Sequence, residues 1–184
     1  MRARKLLAVA AAVLVATLPA GLSAQLANGA KAPKFATQGA MAGESFSFNL
    51  EQALKKGPVV LYFYPKAFTQ GCTLEANAFA ENMDEFTKAG ATVVGMSADD
   101  LPTLKRFSKE ECRDKFAVAT ATPAVIKAYE VAFVNKGQDT GLSNRTSYVI
   151  GKDGRIKMAH SDLDWREHVN LTLAKVRELR RTKG

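Results

Sequence analysis

PVVLYFYPKAFTQGCTLEANAF, residues 58–79, changes character twice. It opens with an unbroken apolar run of β-forming residues, 58–64, the mark of a central strand covered on both faces. Pro65 stops the run, and a short polar loop follows as far as Gly71. From there Cys72, Ala76, Phe79, Met83 and Phe86 recur at spacings of four, three, four and three, one face of a helix that Gly90 closes. A second buried run, ATVVGMSA at 91–98, completes a β-α-β unit whose two strands run parallel.

Upstream, residues 25–43 are rich in Ala, Gly, Lys and Pro and read as a lead-in segment. ESFSFNL, 44–50, alternates as a short edge strand does, and EQALKKG, 51–57, is one or two helical turns ended by Gly57. Downstream, LPTLKRFSKEEC, 101–112, is helical with Pro102 near its start. KFAVATA, 115–121, is a short strand and PAVIKAYEV, 123–131, a helical turn or two. VNKGQDTGLSN, 134–144, reads as a loop. RTSYVIGKDGRIKMAH, 145–160, is a hairpin of two alternating runs around GKDG. Trp165, Val169, Leu173, Val176 and Leu179 line one face of a last helix with a basic tail. Neither a repeat nor a linker interrupts residues 25–184, which read as a single domain.

The N-terminus carries Arg2, Arg4 and Lys5, then an apolar run at 6–18, then Pro19, Gly21, Ser23 and Ala24. That order is that of a secretory signal peptide, residues 1–24, with cleavage near Ala24. The apolar run falls short of the ~20 residues that span a bilayer, so no membrane attachment is expected after cleavage. The formal net charge of +8 loses three of its cations with this segment. The remaining Lys and Arg are scattered, with no basic stripe interleaved with aromatics, which gives no case for nucleic acid. Export to the periplasm or beyond implies an oxidising compartment. Two cysteines are too few for a disulfide scaffold and leave room for one bridge or one catalytic pair.

In an open α/β sheet, sites form beyond the carboxyl ends of the strands, and Cys72 lies there. It also opens a helix, whose unpaired N–H groups and dipole favour an anion and hence a thiolate. Taken singly, each residue has a plainer explanation. Cys72 shares a face with Phe79 and is a small buried side chain; Thr69 is a turn or cap; Pro65 ends a strand. Their joint spacing is what points to a site.

Pro65-x-x-x-Thr69-x-x-Cys72 resembles the signature loop of the peroxiredoxins, thiol peroxidases on a thioredoxin-like fold. FYPKAFTQGCTLEA, 63–76, is most similar to the Q type, also called bacterioferritin comigratory proteins. The likeness continues through VVGMSADDLPTLKRF, 93–107, and RTSYVIGKDGRI, 145–156, over roughly residues 33–180. The resemblance implies an α/β three-layer sandwich, thioredoxin-like, with a central mixed β-sheet. It implies reduction of hydrogen peroxide and organic hydroperoxides, with no cofactor or metal, by a monomer or homodimer. An external thiol, a thioredoxin-like protein or a small thiol, would supply the electrons. By the same resemblance Cys72 attacks a peroxide oxygen and becomes a sulfenic acid, and Thr69 holds and orients the peroxide. Pro65 shields the sulfur, and Arg145 favours the thiolate and stabilises charge on the oxygens. If the strand at 145–150 runs antiparallel to 59–64, Arg145 lies beside the loop that ends the latter.

The match has gaps. Asn77 stands where many Q-type proteins carry a resolving cysteine, Ala67 and Phe68 replace an acidic pair, and Gln70 replaces a proline. Cys112 is the other candidate to resolve the sulfenic acid, in a region where some Q-type proteins carry that residue. Lys109, Arg113 and Lys115 favour a thiolate there, while Glu110, Glu111 and Asp114 oppose it. A bridge needs the two Cα atoms within about 7 Å, which calls for unwinding the first turn of the Cys72 helix. Otherwise an external thiol completes the cycle. His160 and His168 have no metal-ligand spacing and fit a strand end and a helix surface. No C-x-x-C is present, against a disulfide exchanger. The competing reading is a non-catalytic exported thioredoxin-fold binding protein with a static bridge.

Overall fold

The computed structural model describes residues 25–182, and the signal peptide read at 1–24 lies outside them. The chain runs β1 (Ala36–Met41), β2 (Glu44–Asn49), α1 (Leu50–Lys56), β3 (Val59–Phe63), α2 (Gln70–Glu81), α3 (Met83–Lys88), β4 (Thr92–Ser97) and α4 (Leu101–Glu110). It continues with β5 (Ala117–Thr120), α5 (Pro123–Ala128), β6 (Ala132–Asn135), β7 (Gln138–Ser143), β8 (Thr146–Ile150), β9 (Ile156–Ser161) and α6 (Arg166–Arg181). Seven strands make one sheet in the order β2-β1-β5-β4-β3-β8-β9, and β6 and β7 pair separately.

β3 is parallel to β4 and antiparallel to β8, and all five of its residues are buried, which is why its sequence is apolar without alternation. Val60, Tyr62 and, just beyond the strand, Tyr64 enter one core; Val59, Leu61 and Phe63 enter the other. The first core is closed by Phe79 of α2, Phe86 of α3, Phe107 of α4 and Val169, Leu173 and Val176 of α6. Leu50 and Leu54 of α1 with Val125 and Ile126 of α5 close the second. These are the three layers, with a mixed sheet at the centre.

Tyr62 fixes α2 over the sheet. Its ring stacks on Phe79 with centroids 4.3 Å apart and on Tyr64 at 5.5 Å. Gly95 of β4 clears the space: a Cβ there would lie 2.7 Å from Tyr62 Cζ. Even alanine would push the ring off Phe79, overpacking that costs about 1–3 kcal/mol.

Three elements depart from the sequence reading. Residues 25–43 contain β1, which pairs with β2 along its whole length and with β5. Its strand signal is weak because it lies close to β5: a Cβ on Gly39 would sit 2.7 Å from the Val118 carbonyl oxygen, so bulky β-formers are excluded. The loop expected at 134–144 is most of the β6–β7 hairpin. It turns at Lys136 and Gly137, with φ of 49° and 78°, between the opposed Asn135 and Gln138. Most of this ribbon is exposed, so no face demands an apolar alternation. The helix expected from Cys72 to Gly90 breaks at Asn82. The Asn82 N–H donates to the Phe79 carbonyl at 3.0 Å and its side-chain amide to the Ala78 carbonyl at 2.9 Å, the local competition asparagine offers a helix. The apolar stripe continues across the break through Met83 and Phe86.

Candidate active site

The loop leaving β3 is tied to the strands on either side. Ser143 Oγ donates to the Tyr64 carbonyl at 2.8 Å, next to the start of β8. Asp99 Oδ2, just past β4, accepts from the Ala67 N–H and from Ser97 Oγ, each at 2.8 Å. Phe68 has a left-handed φ of 62° and is held there by an edge-on contact with Phe107 at 5.2 Å and by the Arg106 guanidinium at 4.9 Å. Half-buried Pro65 opens the loop and Thr69 closes it as the N-cap of α2. The Thr69 carbonyl accepts from the Thr73 N–H at 2.9 Å, while its hydroxyl donates back to the Lys66 carbonyl at 2.9 Å.

Cys72 is the third residue of α2 and is only 2% exposed. The β3–β8 register sets Phe63 opposite Thr146, which leaves Arg145, one residue earlier, beside the departing loop. An arginine at a strand start is usually solvated, yet this one is 5% exposed. Its Nη2 donates to Cys72 Sγ at 3.5 Å, its Nη1 pairs with Glu75 Oε2, and its Nε donates to the Leu163 carbonyl at 2.9 Å. Every nitrogen of the planar fork is engaged, which fixes its orientation as a lysine could not. Burial works against the Arg145 charge, but Glu75 and the Cys72 sulfur outweigh it and raise its pKa.

Glu75 and His168 are functional-site residues that the sequence reading missed. Glu75 lies one turn after Cys72 on the same helix face and is fully buried. Burial pushes its carboxyl up to about 8 against the pull of Arg145. The signal was an acidic residue three positions after Cys72, on a stripe otherwise apolar. His168 is a correction: it is not on the helix surface but fully buried, because the inward face of α6 includes His168 and Thr172 beside Val169, Leu173 and Val176. Its Nδ1 meets Ser147 Oγ at 2.8 Å and its Nε2 the Asp162 carbonyl at 2.9 Å. Burial lowers the imidazole to about 4, so it is neutral at physiological pH. His160, on β9, lies against it with ring centroids 4.6 Å apart.

Cys112 follows α4, fully buried in the core layer that also holds Cys72. Burial, then Glu111 and Asp114, push its thiol well up, so the acidic neighbours and the apolar surroundings prevail over Lys109, Arg113 and Lys115. The Asn77 amide donates to Glu111 Oε2 at 3.2 Å, linking α2 to the segment before Cys112. Both cysteines are free. The fold thus brings Cys72 and Glu75 onto one guanidinium, caps their helix with Thr69 at the end of the loop that Pro65 opens, and keeps Cys112 as a separate buried thiol.

Known proteins resemble this chain in sequence and in fold. The AhpC/TSA family matches residues 28–159. The peroxiredoxin Bcp of Escherichia coli is 35% identical over 124 residues, 65% of this chain and 78% of that protein. The chloroplastic peroxiredoxin Q of Sedum lineare is 33% identical over 127 residues, 68% of this chain and 67% of that one. Among solved structures, the peroxidoxin BcpB of Mycobacterium tuberculosis superposes with a TM-score of 0.73 and 28% identity, covering 83% of this chain and 97% of its own. The Xanthomonas campestris bacterioferritin comigratory protein, described for alkyl peroxide reduction, gives 0.68 and 25%, with 78% and 91% covered. The chain belongs to the AhpC/TSA family and is a peroxiredoxin, a thiol-dependent peroxidase most similar to the Bcp and Q type.

Proposed function

We propose that Cys72 is the peroxidatic thiol of this enzyme and that hydrogen peroxide and organic hydroperoxides are its substrates. The observation that carries the reading is the Arg145 Nη2 contact with Cys72 Sγ, 3.5 Å long, at the N-terminus of α2. The sulfur sits between a fixed cation and unpaired helix N–H groups, which favour an anion. As a thiolate it bonds to one peroxide oxygen and the O–O bond breaks; the departing alkoxide or hydroxide takes up a proton, so that a sulfenic acid and an alcohol or water result. The hydroxyl hydrogen of Thr69 is engaged by Lys66, so its oxygen is left to accept the peroxide O–H. Pro65, half-buried at the head of the loop and without an N–H, is the residue to which we assign shielding of the sulfur from water. Arg145 stabilises the negative charge that develops on the oxygens. Exposed Phe68, Leu74 and Leu163, on segments that build the site, supply apolar surface for the organic part of a hydroperoxide.

The sulfenic acid is then reduced, either by Cys112 followed by an external thiol or by that thiol directly. Resolution by Cys112 requires the first turn of α2 and the end of α4 to open, since Cys112 is fully buried. A thioredoxin-like protein or a small thiol fits as reductant, and the chain acts as a monomer or homodimer. The basic, apolar, small-residue order of residues 1–24 supports export to the periplasm or secretion. The static-bridge binding protein is not favoured, because both cysteines are free and the relatives are peroxiredoxins.

Replacing Arg145 with Ala is expected to slow the first oxidation of Cys72 by about 10²–10³-fold in stopped-flow measurement, the effect of losing one preorganised donor. An unchanged rate would sink the role given to Arg145. Cys112→Ser should leave that first turnover intact while making Cys72 trappable by dimedone and prone to overoxidation. Unchanged multi-turnover kinetics with the same reductant would reject Cys112 as the resolving thiol. N-terminal sequencing of the chain expressed in an exporting host should begin near Gln25; a chain that stays intact and inside the cell contradicts the export reading.

A further inference from the structure

The Cys72–Arg145 pair leaves a charge unaccounted for. Two groups that can be anionic, the Cys72 sulfur and the Glu75 carboxyl, share one guanidinium, and all three are buried. Four groups face Glu75: Arg145 at the head of β8, His168 of α6, Cys72 one turn back on α2, and Tyr62 of β3. With sulfur and carboxyl both ionised, this pocket carries a net negative charge and no second cation. Buried charge without a partner is disfavoured, and its usual relief is a proton.

Hydrogen-bond geometry shows where a proton is missing. The Asp162 carbonyl can only accept, so the His168 Nε2 that meets it at 2.9 Å carries the ring hydrogen. Nδ1 of the neutral ring is then bare and accepts the hydrogen of Ser147 Oγ at 2.8 Å. Glu75 Oε1 stands 3.8 Å from that bare nitrogen and has no hydrogen-bond partner. His160 and Asp162 occupy other sides of the imidazole and donate nothing to Glu75. Ser147 already occupies the one lone pair of that nitrogen, so His168 offers Oε1 no hydrogen; an ionised Oε1 would be a buried anionic oxygen without a donor, and a proton on the carboxyl removes that charge. The shift of Glu75 to about 8 agrees with a neutral carboxyl.

We propose that Glu75, with Oε1 turned to His168, holds one proton while Cys72 is a thiolate and releases it when Cys72 is oxidised. The inference rests on Cys72 being the atom that peroxide oxidises. Cys72 Sγ bonds to one peroxide oxygen and the O–O bond breaks; sulfur loses two electrons and the peroxide gains them. The departing alkoxide or hydroxide is protonated at the expense of Glu75, giving an alcohol or water. The sulfenic acid is neutral, so the Glu75 carboxylate takes over as the anion paired with Arg145. The buried pocket stays neutral before and after, and Glu75 regains its proton when a reductant restores the thiolate.

Counting protons tests this directly. The protein is mixed with one equivalent of hydrogen peroxide in weakly buffered solution containing a pH indicator, below the Glu75 value of about 8. Ultraviolet thiolate absorbance is followed in the same mixing, and Cys112→Ser serves as the parent so that only the first step is seen. The parent should take up no proton per thiolate lost, and Glu75→Gln should take up one. Uptake of one proton by the parent, or of none by the variant, overturns the proposal. Infrared difference spectra of the unsubstituted protein give a reading that needs no variant. A protonated-carboxyl C=O band should vanish on oxidation, and also when the reduced protein is taken above about pH 8. Absence of that band in the reduced protein overturns the proposal as well. Failure of Cys72 to gain oxygen or lose thiolate absorbance would instead refute the underlying reading of Cys72, so the two failures are separable.

Discussion

One guanidinium organises this end of the molecule. Arg145 is buried, and an unpaired buried charge of that kind costs several kcal/mol. Its place is tolerable only because Cys72, Glu75 and the Leu163 carbonyl each engage a different nitrogen. Those partners come from two turns of one helix and from the segment between β9 and α6. Neither can shift without leaving part of the fork unpaired. The interaction therefore couples the helix that carries the sulfur to the sheet that carries the charge.

The sheet supplies that precision. β3 is paired on both edges and buried on both faces, so its register with β8 is rigid and Arg145 follows from it. Tyr62, flat against Phe79 in the space left by Gly95, holds α2 at the height where its first turn meets Arg145. Asp99 and Ser143 hold the intervening loop from opposite sides. Behind the pair, Glu75, His168 and Ser147 form a polar pocket inside an otherwise apolar layer, where a misplaced charge would be costly.

Much of this was legible in the chain. The continuous run at β3, the loop beginning at Pro65, and Cys72 at a helix start all express local rules, and the structure follows them. Arg145 was legible as a neighbour of the loop because antiparallel pairing fixes which residue reaches the end of β3. Its burial was not, since strand-start arginines are normally wet and only tertiary partners reverse that. Glu75 and His168 were missed for one reason: tracing apolar residues draws a narrower stripe than the face that is buried, and polar residues that find partners inside are left off it. β1 and the β6–β7 hairpin escaped for opposite reasons. In β1 close packing demanded glycine at Gly39 in place of a β-former, and the hairpin is exposed enough to need no pattern.

Peptide-level mass spectrometry of the protein after one equivalent of hydrogen peroxide tests the central claim most directly. The account predicts that the oxidant is consumed at Cys72, seen as one added oxygen on its peptide or as a Cys72–Cys112 linkage, with methionines untouched. Peroxide left unreacted, or oxidation spread over methionines and Cys112 while Cys72 remains a thiol, would contradict it.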